Sequence, residues 1–309
     1  MRVLVTGASG WIGSAVVPEL VGAGHQVIGL ARSDASADAL TAAGAEVHRG
    51  SLDDLDDLRG VAAASDGVIH LAFKHDVAFS GDFDSAVAAD RLAIEAFGDA
   101  LAGTDRPFVI ASGTVGVAYG KVATEEDGRD VDPAAGGSGP AGRQANAALV
   151  LSLASRGVRS TVLRLPPTVH GDGDNGFVAA QVGIARDKGV SGYVGDGANR
   201  WPAVHRNDAA RLFHLALEQA PAGTVLHAVG DEGVPVRDMA EVIGRHLDIP
   251  VVSIAPEKSG EHFGWLGGFL AVDAPASSAI TQKLLDWHPT QPSLIEDLDM
   301  GHYFAGVRA

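Results

Sequence analysis

Glycines at positions 7, 10 and 13 stand where a chain needs them to bring its backbone against a diphosphate. The apolar run Met1-Arg2-Val3-Leu4-Val5 leads directly into Thr6-Gly7-Ala8-Ser9-Gly10-Trp11-Ile12-Gly13, and an apolar helical pattern follows. Gly7 permits the tight turn, Gly10 lets the backbone approach a pyrophosphate, and Gly13 lets the helix lie close on the strand. The exposed amides at the positive end of that helix then hold the phosphates. Thr6, Trp11 and Ile12 complete the expected dinucleotide grip.

The next strand ends Val27-Ile28-Gly29-Leu30-Ala31-Arg32-Ser33. An NAD site usually places a carboxylate about 20 residues beyond the glycines, on the ribose 2′-hydroxyl. Ala31 takes that place here, with Arg32 and Ser33 after it. A guanidinium pairs with a 2′-phosphate through charge-assisted bonds, so NADP(H) is the expected cofactor. Asp34, two residues from Arg32, works against that preference.

The elements that must position these residues alternate regularly. Strands are expected over 2–6, 26–31, 45–49, 67–72, 107–112 and 160–165, with helices near 11–23, 35–43, 52–64, 83–102 and 140–156. Such alternation predicts an α/β fold, a doubly wound Rossmann-type parallel sheet. Pro18 falls inside the first helix and removes one backbone bond there. Residues 113–139, rich in glycine and acids, read as one long loop, a kind usually functional or mobile. After Leu165 the pattern breaks at glycines, as in Gly192-Tyr193-Val194-Gly195-Asp196-Gly197; helices are expected at 207–219 and 236–247. The division expected is a dinucleotide-binding domain over 1–170, to which 204–230 returns, and a smaller substrate lobe over 171–203 and 231–309.

With T-G-x-x-G-x-x-G at its start, the chain resembles the extended branch of the short-chain dehydrogenase/reductase superfamily, and further matches follow in order. Val68-Ile69-His70-Leu71-Ala72 is similar to the fourth-strand end on the nicotinamide side, which implies Leu71, Ala72 and Phe73 as cofactor contacts. Ala111-Ser112-Gly113-Thr114, then Tyr119-Gly120, resembles the fifth-strand serine/threonine motif. Arg164 with Thr168-Val169-His170-Gly171 resembles R-x-x-x-V-Y-G, which brings Leu165 and Pro166 to the cofactor. Val204-His205 and Asp208 resemble V-H-x-x-D, and the ending Leu285-Asp286-Trp287-His288-Pro289-Thr290 resembles the substrate lobe of nucleotide-sugar epimerases. Ser51 and Leu52 stand where the family often has Asp-Leu against the adenine. Asp53, Asp54, Asp56 and Asp57 read instead as the solvated first turns of a helix.

Reductases of this superfamily use a tyrosine with a lysine four residues on, which lowers the phenol pKa. The tyrosines here are Tyr119, Tyr193 and Tyr303, followed at that spacing by Ala123, Gly197 and Val307. The register of the helix over 140–156 puts Ser138 and Gly142 where the pair belongs. The chain therefore resembles an atypical member lacking the pair. Three readings follow: a reductase with another proton donor, a non-catalytic NADP-binding redox sensor, or a nucleotide-sugar epimerase/dehydratase with substituted acid/base groups.

Other donors are at hand. Ligands of open α/β sheets sit at the carboxyl ends of strands, so Phe73-Lys74-His75-Asp76 should approach the nicotinamide. His75 titrates near neutrality and suits general acid work, or is an ordinary loop histidine. Ser112 and Thr114 are candidates to bond a substrate carbonyl, or strand-end packing. Tyr119, near Lys121, is a further candidate acid. His170 and His205 fit structural roles. Phe263, Trp265, Leu266 and Phe269 line an apolar pocket or lid, or else form the core of the last lobe.

Composition closes off other functions. Hydrophobic residues are 46% of 309, enough for a real core. Net charge is −16 with no long basic run, which argues against nucleic acid or anionic membrane as partner. Without cysteine there is no disulfide or thiolate chemistry, and with no H-E-x-x-H among twelve histidines no metal site is expected. No apolar stretch reaches transmembrane length, so a cytoplasmic protein is expected. The expected activity is NADPH-dependent reduction of a small apolar carbonyl compound, since 171–203 holds only Arg186, Lys188 and Arg200 for a sugar diphosphate. A homodimer through 83–102 and 140–156 is implied by the resemblance.

Overall fold

The structure, a computed structural model, describes residues 1–134 and 139–305. Its first half runs β1 (Arg2–Thr6), α1 (Gly13–Gly22), β2 (Gln26–Ala31), α2 (Asp34–Ala42), β3 (Glu46–Arg49), α3 (Leu55–Ala63), β4 (Gly67–His70), α4 (His75–Phe79), α5 (Phe83–Leu101) and β5 (Pro107–Gly113). Then come α6 (Gly139–Ser152), β6 (Arg159–Leu165), β7 (Thr168–His170), α7 (Phe177–Lys188), β8 (Ser191–Val194), β9 (Arg200–His205), α8 (Arg206–Gln219) and β10 (Thr224–His227). The end of the chain holds β11 (Asp231–Pro235), α9 (Val236–Leu247), β12 (Val251–Ile254), α10 (Ser259–Phe263), α11 (Gly267–Leu270), α12 (Ala279–Leu285) and α13 (Leu294–Asp299).

Seven parallel strands form the central sheet in the order β10-β6-β5-β4-β1-β2-β3. Period-two alternation sends Val3 and Val5 of β1 to one face and Leu4 to the other. On the first face α1, α2 and α8 bury Val16, Leu20, Leu40, Phe213 and Leu217; on the second α3, α5 and α6 bury Leu58, Ile94, Phe97 and Val150. Helix starts are fixed by side-chain caps: Ser33 accepts from Ser36 N at 3.2 Å, Asp54 from Asp57 N at 3.1 Å and Asp82 from Ser85 N at 3.1 Å. Asp56 and Asp57 lie in the first turn of α3, as the sequence suggests. α1 continues through the exposed Pro18.

A three-stranded sheet, β11-β9-β7, and a pair, β12-β8, lie beside it with α7, α9 and α13 packed through Val178, Val182, Met239, Ile243 and Leu298. Several elements escaped the sequence, β7, β8, β9, β11 and β12 among them, and α7 and β10 show why. α7 is a 12-residue helix in a stretch that reads as glycine-broken, because Gly183 sits in it and its apolar residues make only a thin stripe. β10 is a four-residue strand, too short to show a period. Among the described residues no helix is long and apolar enough to cross a membrane.

The long loop after β5 is pinned rather than loose over part of its length. Arg164 on β6 donates to Asp127 O at 2.7 Å and Gly128 O at 3.2 Å. Ala123 bridges to Ala276, and buried Glu125 accepts from Thr281 N at 2.8 Å and Thr281 Oγ1 at 2.6 Å. His227, at the end of β10, sits within this network, 3.4 Å from Arg164 and donating to Ser277 O at 2.8 Å.

Burial, against the pull of Glu125 and Asp127 and with the push of Arg164, brings the His227 pKa down to about 4. The folded protein keeps this ring neutral while the unfolded chain protonates it below about 6.5. Stability from this site is therefore complete above pH 6.5 and lost as pH falls toward 4. Thermal melts should show Tm falling by several degrees over that window, and His227→Gln should flatten the slope. An unchanged slope in the variant would assign the acid sensitivity elsewhere.

Candidate functional site

The sheet order reverses between β1 and β4, and the loops leaving those two strands build the candidate site. Gly7 has φ +65°, and a Cβ there would stand 2.7 Å from Ala72 N. A Cβ on Gly13 would fall 2.7 Å from the Ala8 backbone, so the helix start lies directly on the turn. Gly10 differs, since a Cβ there would meet only Gly7 O, at 3.2 Å. Its face is open, and Ile12 caps α1 without any side-chain hydrogen bond. The first amides of α1 thus meet no side-chain acceptor, which suits a pyrophosphate. Trp11 anchors the loop sideways: its indole donates to Val169 O at 2.8 Å, and the Arg206 guanidinium lies 4.1 Å from its ring centre.

At the end of β2, Ala31 is buried and Arg32 is exposed, with no hydrogen bond or ion pair among the described residues. Asp34 turns to Arg49, 2.6 Å away, so the acid that spoke against NADP is already paired. Ser33 caps α2. Leu52 is buried and Ser51 half-buried beside the end of β3, where Ser51 accepts from Asp53 N at 3.1 Å. Lys74 pairs with Asp53 at 2.5 Å, which joins this corner to the loop after β4.

A buried polar chain supports the reacting end. Thr6 Oγ1 lies 2.6 Å from His70 Nδ1 and accepts from Ala72 N at 3.2 Å. His70 Nε2 reaches Asp90 at 3.2 Å, and Asp90 accepts from Asn146 at 2.8 Å. Burial pushes the Asp90 carboxyl up, but the bond and charge of His70, the Arg143 charge and the Asn146 bond hold it below the usual range. The Thr6 side chain is wholly buried and works within this chain.

Leu71, Ala72 and Phe73 follow, all half-buried. The Phe73 ring carries the Arg143 guanidinium at 4.1 Å on its face and His75 at 5.1 Å on its edge. Arg143 also donates to Ala111 O at 3.2 Å, across the end of β5. Sequence reasoning missed this residue. It follows Gly142, the expected lysine position, by one step on α6, and a basic residue beside that gap was the available signal. Ser138, the expected tyrosine position, lies outside the described residues. Burial lowers the Arg143 pKa, opposed by Asp90. His75, first residue of α4, keeps an exposed face, yet crowding and then the Arg143 charge lower its pKa against Asp76 and Asp90.

Ser112 is half-buried at the end of β5. Thr114 is 2% exposed, and its hydroxyl has no hydrogen-bond partner among the described residues. Its amide donates to Leu165 O at 3.0 Å, which brings the β5 and β6 exits together, with Leu165 and Pro166 buried beside them. Tyr119 is 79% exposed. Lys121 turns to Asp127 at 2.5 Å rather than to Tyr119. His170 and His205 hold structure: His170 meets Asp297 at 2.9 Å, and His205 accepts from Asn207 N at 3.2 Å at the start of α8. Asp208 binds the amides of Thr290 and Gln291, both at 3.0 Å.

The C-terminal aromatic cluster divides. Phe263 and Leu266 are core, whereas Trp265 is 54% and Phe269 39% exposed. Both exposed rings face Phe177 at the start of α7, with centroids 5.4 and 5.2 Å away.

Known proteins share this architecture. An uncharacterized protein of Schizosaccharomyces pombe is 48% identical over 305 residues, covering 98% of this chain and all of its own. The 2-alkyl-3-oxoalkanoate reductase of Stenotrophomonas maltophilia is 30% identical over 271 residues, covering 82% of this chain and 78% of that one. Among solved structures, UDP-glucose 4-epimerase of Thermotoga maritima superposes with TM-score 0.74 at 22% identity over 98% of both chains. The dTDP-glucose 4,6-dehydratase of Streptomyces venezuelae, solved with NAD, gives TM-score 0.74 at 21% identity, over 98% of this chain and 97% of that one. The model of the NAD-dependent epimerase/dehydratase family matches residues 3–228, and the chain belongs to that family.

Proposed function

We propose that the protein is an NADPH-dependent reductase of a small apolar carbonyl compound, with Arg143 and His75 standing in for the tyrosine–lysine pair. The observation that carries this reading is the Arg143 guanidinium, set between the Phe73 face and Ala111 O where β4 and β5 end. The 30% identity to a 2-alkyl-3-oxoalkanoate reductase supports the reaction class. Exposed Arg32, with Asp34 turned to Arg49, supports the 2′-phosphate. The exposed rings of Trp265 and Phe269 against Phe177 support an apolar substrate.

The cofactor fits the residues present: Gly7, Gly10 and the α1 amides for the pyrophosphate, Arg32 for the 2′-phosphate, Ser51 and Leu52 for the adenine, and Leu71, Ala72, Leu165 and Pro166 for the nicotinamide side. When bound, it supplies hydride to the carbonyl carbon. Negative charge then gathers on the carbonyl oxygen, and Arg143, half-buried and held in place, stabilises it in a low-dielectric setting. Ser112 or Thr114 orients the same oxygen by hydrogen bonding. His75 gives the proton.

Gly10→Val fills the open face of the grip, so NADPH binding should collapse while Tm changes little; binding kept in a folded variant would place the phosphates elsewhere. Arg32→Ala should weaken NADPH tenfold to a hundredfold, about 1.5–3 kcal/mol, and leave NADH unchanged. Fluorescence titration reads both, and equal NADH and NADPH affinity in the parent protein would remove the NADP assignment.

Turnover is the remaining test, over ketones, aldehydes, imines and activated alkenes. His75→Ala should lower kcat by about 10²-fold with NADPH affinity kept. The protonated form of His75 is lost as pH rises through a pKa under 6.5, so kcat should fall with pH through that acidic limb. Removing the cation in Arg143→Met should move the limb upward and cut kcat by about 10²–10³-fold, with Arg143→Lys recovering part. NADPH binding without turnover of any substrate would leave a cofactor-binding sensor instead.

A further inference from the structure

The far end of the sheet, where β1 and β2 begin, holds a second cluster with chemical potential. His25 lies in the turn between α1 and β2, and His214 and Glu218 stand one turn apart on α8. One ligand atom from each of the three lies within 4.8 Å of the others. His25 Nε2 is 3.1 Å from Glu218 Oε1, and His214 Nε2 is 3.4 Å from Glu218 Oε2.

Two details set this cluster apart from a surface ion pair. His25 Nε2 is buried and makes no well-formed hydrogen bond among the described residues, although the carboxylate is close. His214 Nδ1 faces Glu19 Oε1 at 3.0 Å. With its proton on Nδ1 for that bond, the ring aims the lone pair of Nε2 at the Glu218 carboxylate. On its other edge His25 Nδ1 lies 3.3 Å from the N-terminal amine, and a cation can take the place of a proton between the Nε2 atoms and the carboxylate. The Glu19–His214 contact is also the arrangement by which an outer carboxylate orients an imidazole on a metal. A net charge of −16 on the chain favours cation capture.

We propose that His25, His214 and Glu218 form a binding site for a divalent transition-metal ion of the zinc type, with Glu19 orienting His214. Two imidazole nitrogens and one carboxylate oxygen suit zinc, with water completing a tetrahedron, and do not suit magnesium, which prefers an all-oxygen shell. The ion would clasp the α1–β2 turn to α8. No residue of the candidate reaction site is involved, so the role is structural and independent of the proposed activity. Histidine spacing along the chain could not reveal it, because His25 and His214 meet only through the packing of α1 against α8.

The test uses the whole chain, stripped with a chelator and titrated with zinc chloride, and separately with magnesium chloride, by calorimetry and thermal melting. One zinc per chain should bind saturably, raising Tm by about 5 °C at a hundredfold excess over Kd, while magnesium gives no such signal. Glu218→Gln, at an exposed position, should weaken zinc at least tenfold with little change in the metal-free Tm, and His214→Gln, half-buried, should weaken zinc at least tenfold whatever its effect on the metal-free Tm. Glu19→Gln should weaken it tenfold to a hundredfold through loss of orientation alone. Zinc bound with unchanged affinity in these three variants, or no saturable zinc binding by the parent protein, overturns the assignment.

Discussion

A hydroxyl–imidazole contact deep in the sheet, Thr6 Oγ1 to His70 Nδ1 at 2.6 Å, ties β1 to β4 where the strand order reverses. Both loops that form the candidate site leave from this point. The same hydroxyl accepts from Ala72 N, and the Gly7 turn rests on the backbone of Leu71 and Ala72 with no room for a side chain. Burying a histidine, an aspartate and an asparagine together is costly unless each polar atom finds a partner. Here His70, Asp90 and Asn146 satisfy one another in series, and the chain ends on α6, the helix that carries Arg143. The glycine turn after β1 and the loop after β4 are thereby held to one frame.

Arg143 gains its significance from this frame. On a solvated helix face a guanidinium is screened and contributes little. Against the Phe73 ring and the Ala111 carbonyl it is fixed and half-buried, and it lowers the pKa of its neighbour His75 after the larger effect of crowding. Asp90, not far behind, keeps the cation from being an isolated buried charge. The chain thus places a positive charge and a titratable ring together at the ends of β4 and β5.

The segments outside the main sheet are fastened by buried polar contacts as well as by their own apolar clusters. Arg164 and Glu125 pin the loop after β5, and Asp208 receives the amides of Thr290 and Gln291. Trp287, fully buried, donates to Asp208 O at 3.1 Å and packs in the same core as α8. Among the exposed apolar residues of these segments is an aromatic group, Trp265 and Phe269 against Phe177.

The glycine spacing, the alternation of strands and helices and the acid-free end of β2 were legible along the chain because each is local. Period and turn chemistry are properties of neighbours in sequence, and six of the seven sheet strands follow from them. β10 and α7 were not legible, one being too short and the other too weakly patterned for periodicity to register. Placement of side chains from distant segments had no local signature at all. That Lys121 turns to Asp127, that Asp34 turns to Arg49 and that Arg143 reaches Phe73 and Ala111 depend on how α6, β3 and the long loop pack. The sequence by itself determined the family of folds and set the glycine turn at the end of β1, where a dinucleotide is expected. Tertiary structure alone decided which charges stand together there, because charges interact through space while the patterns of a chain run only along it.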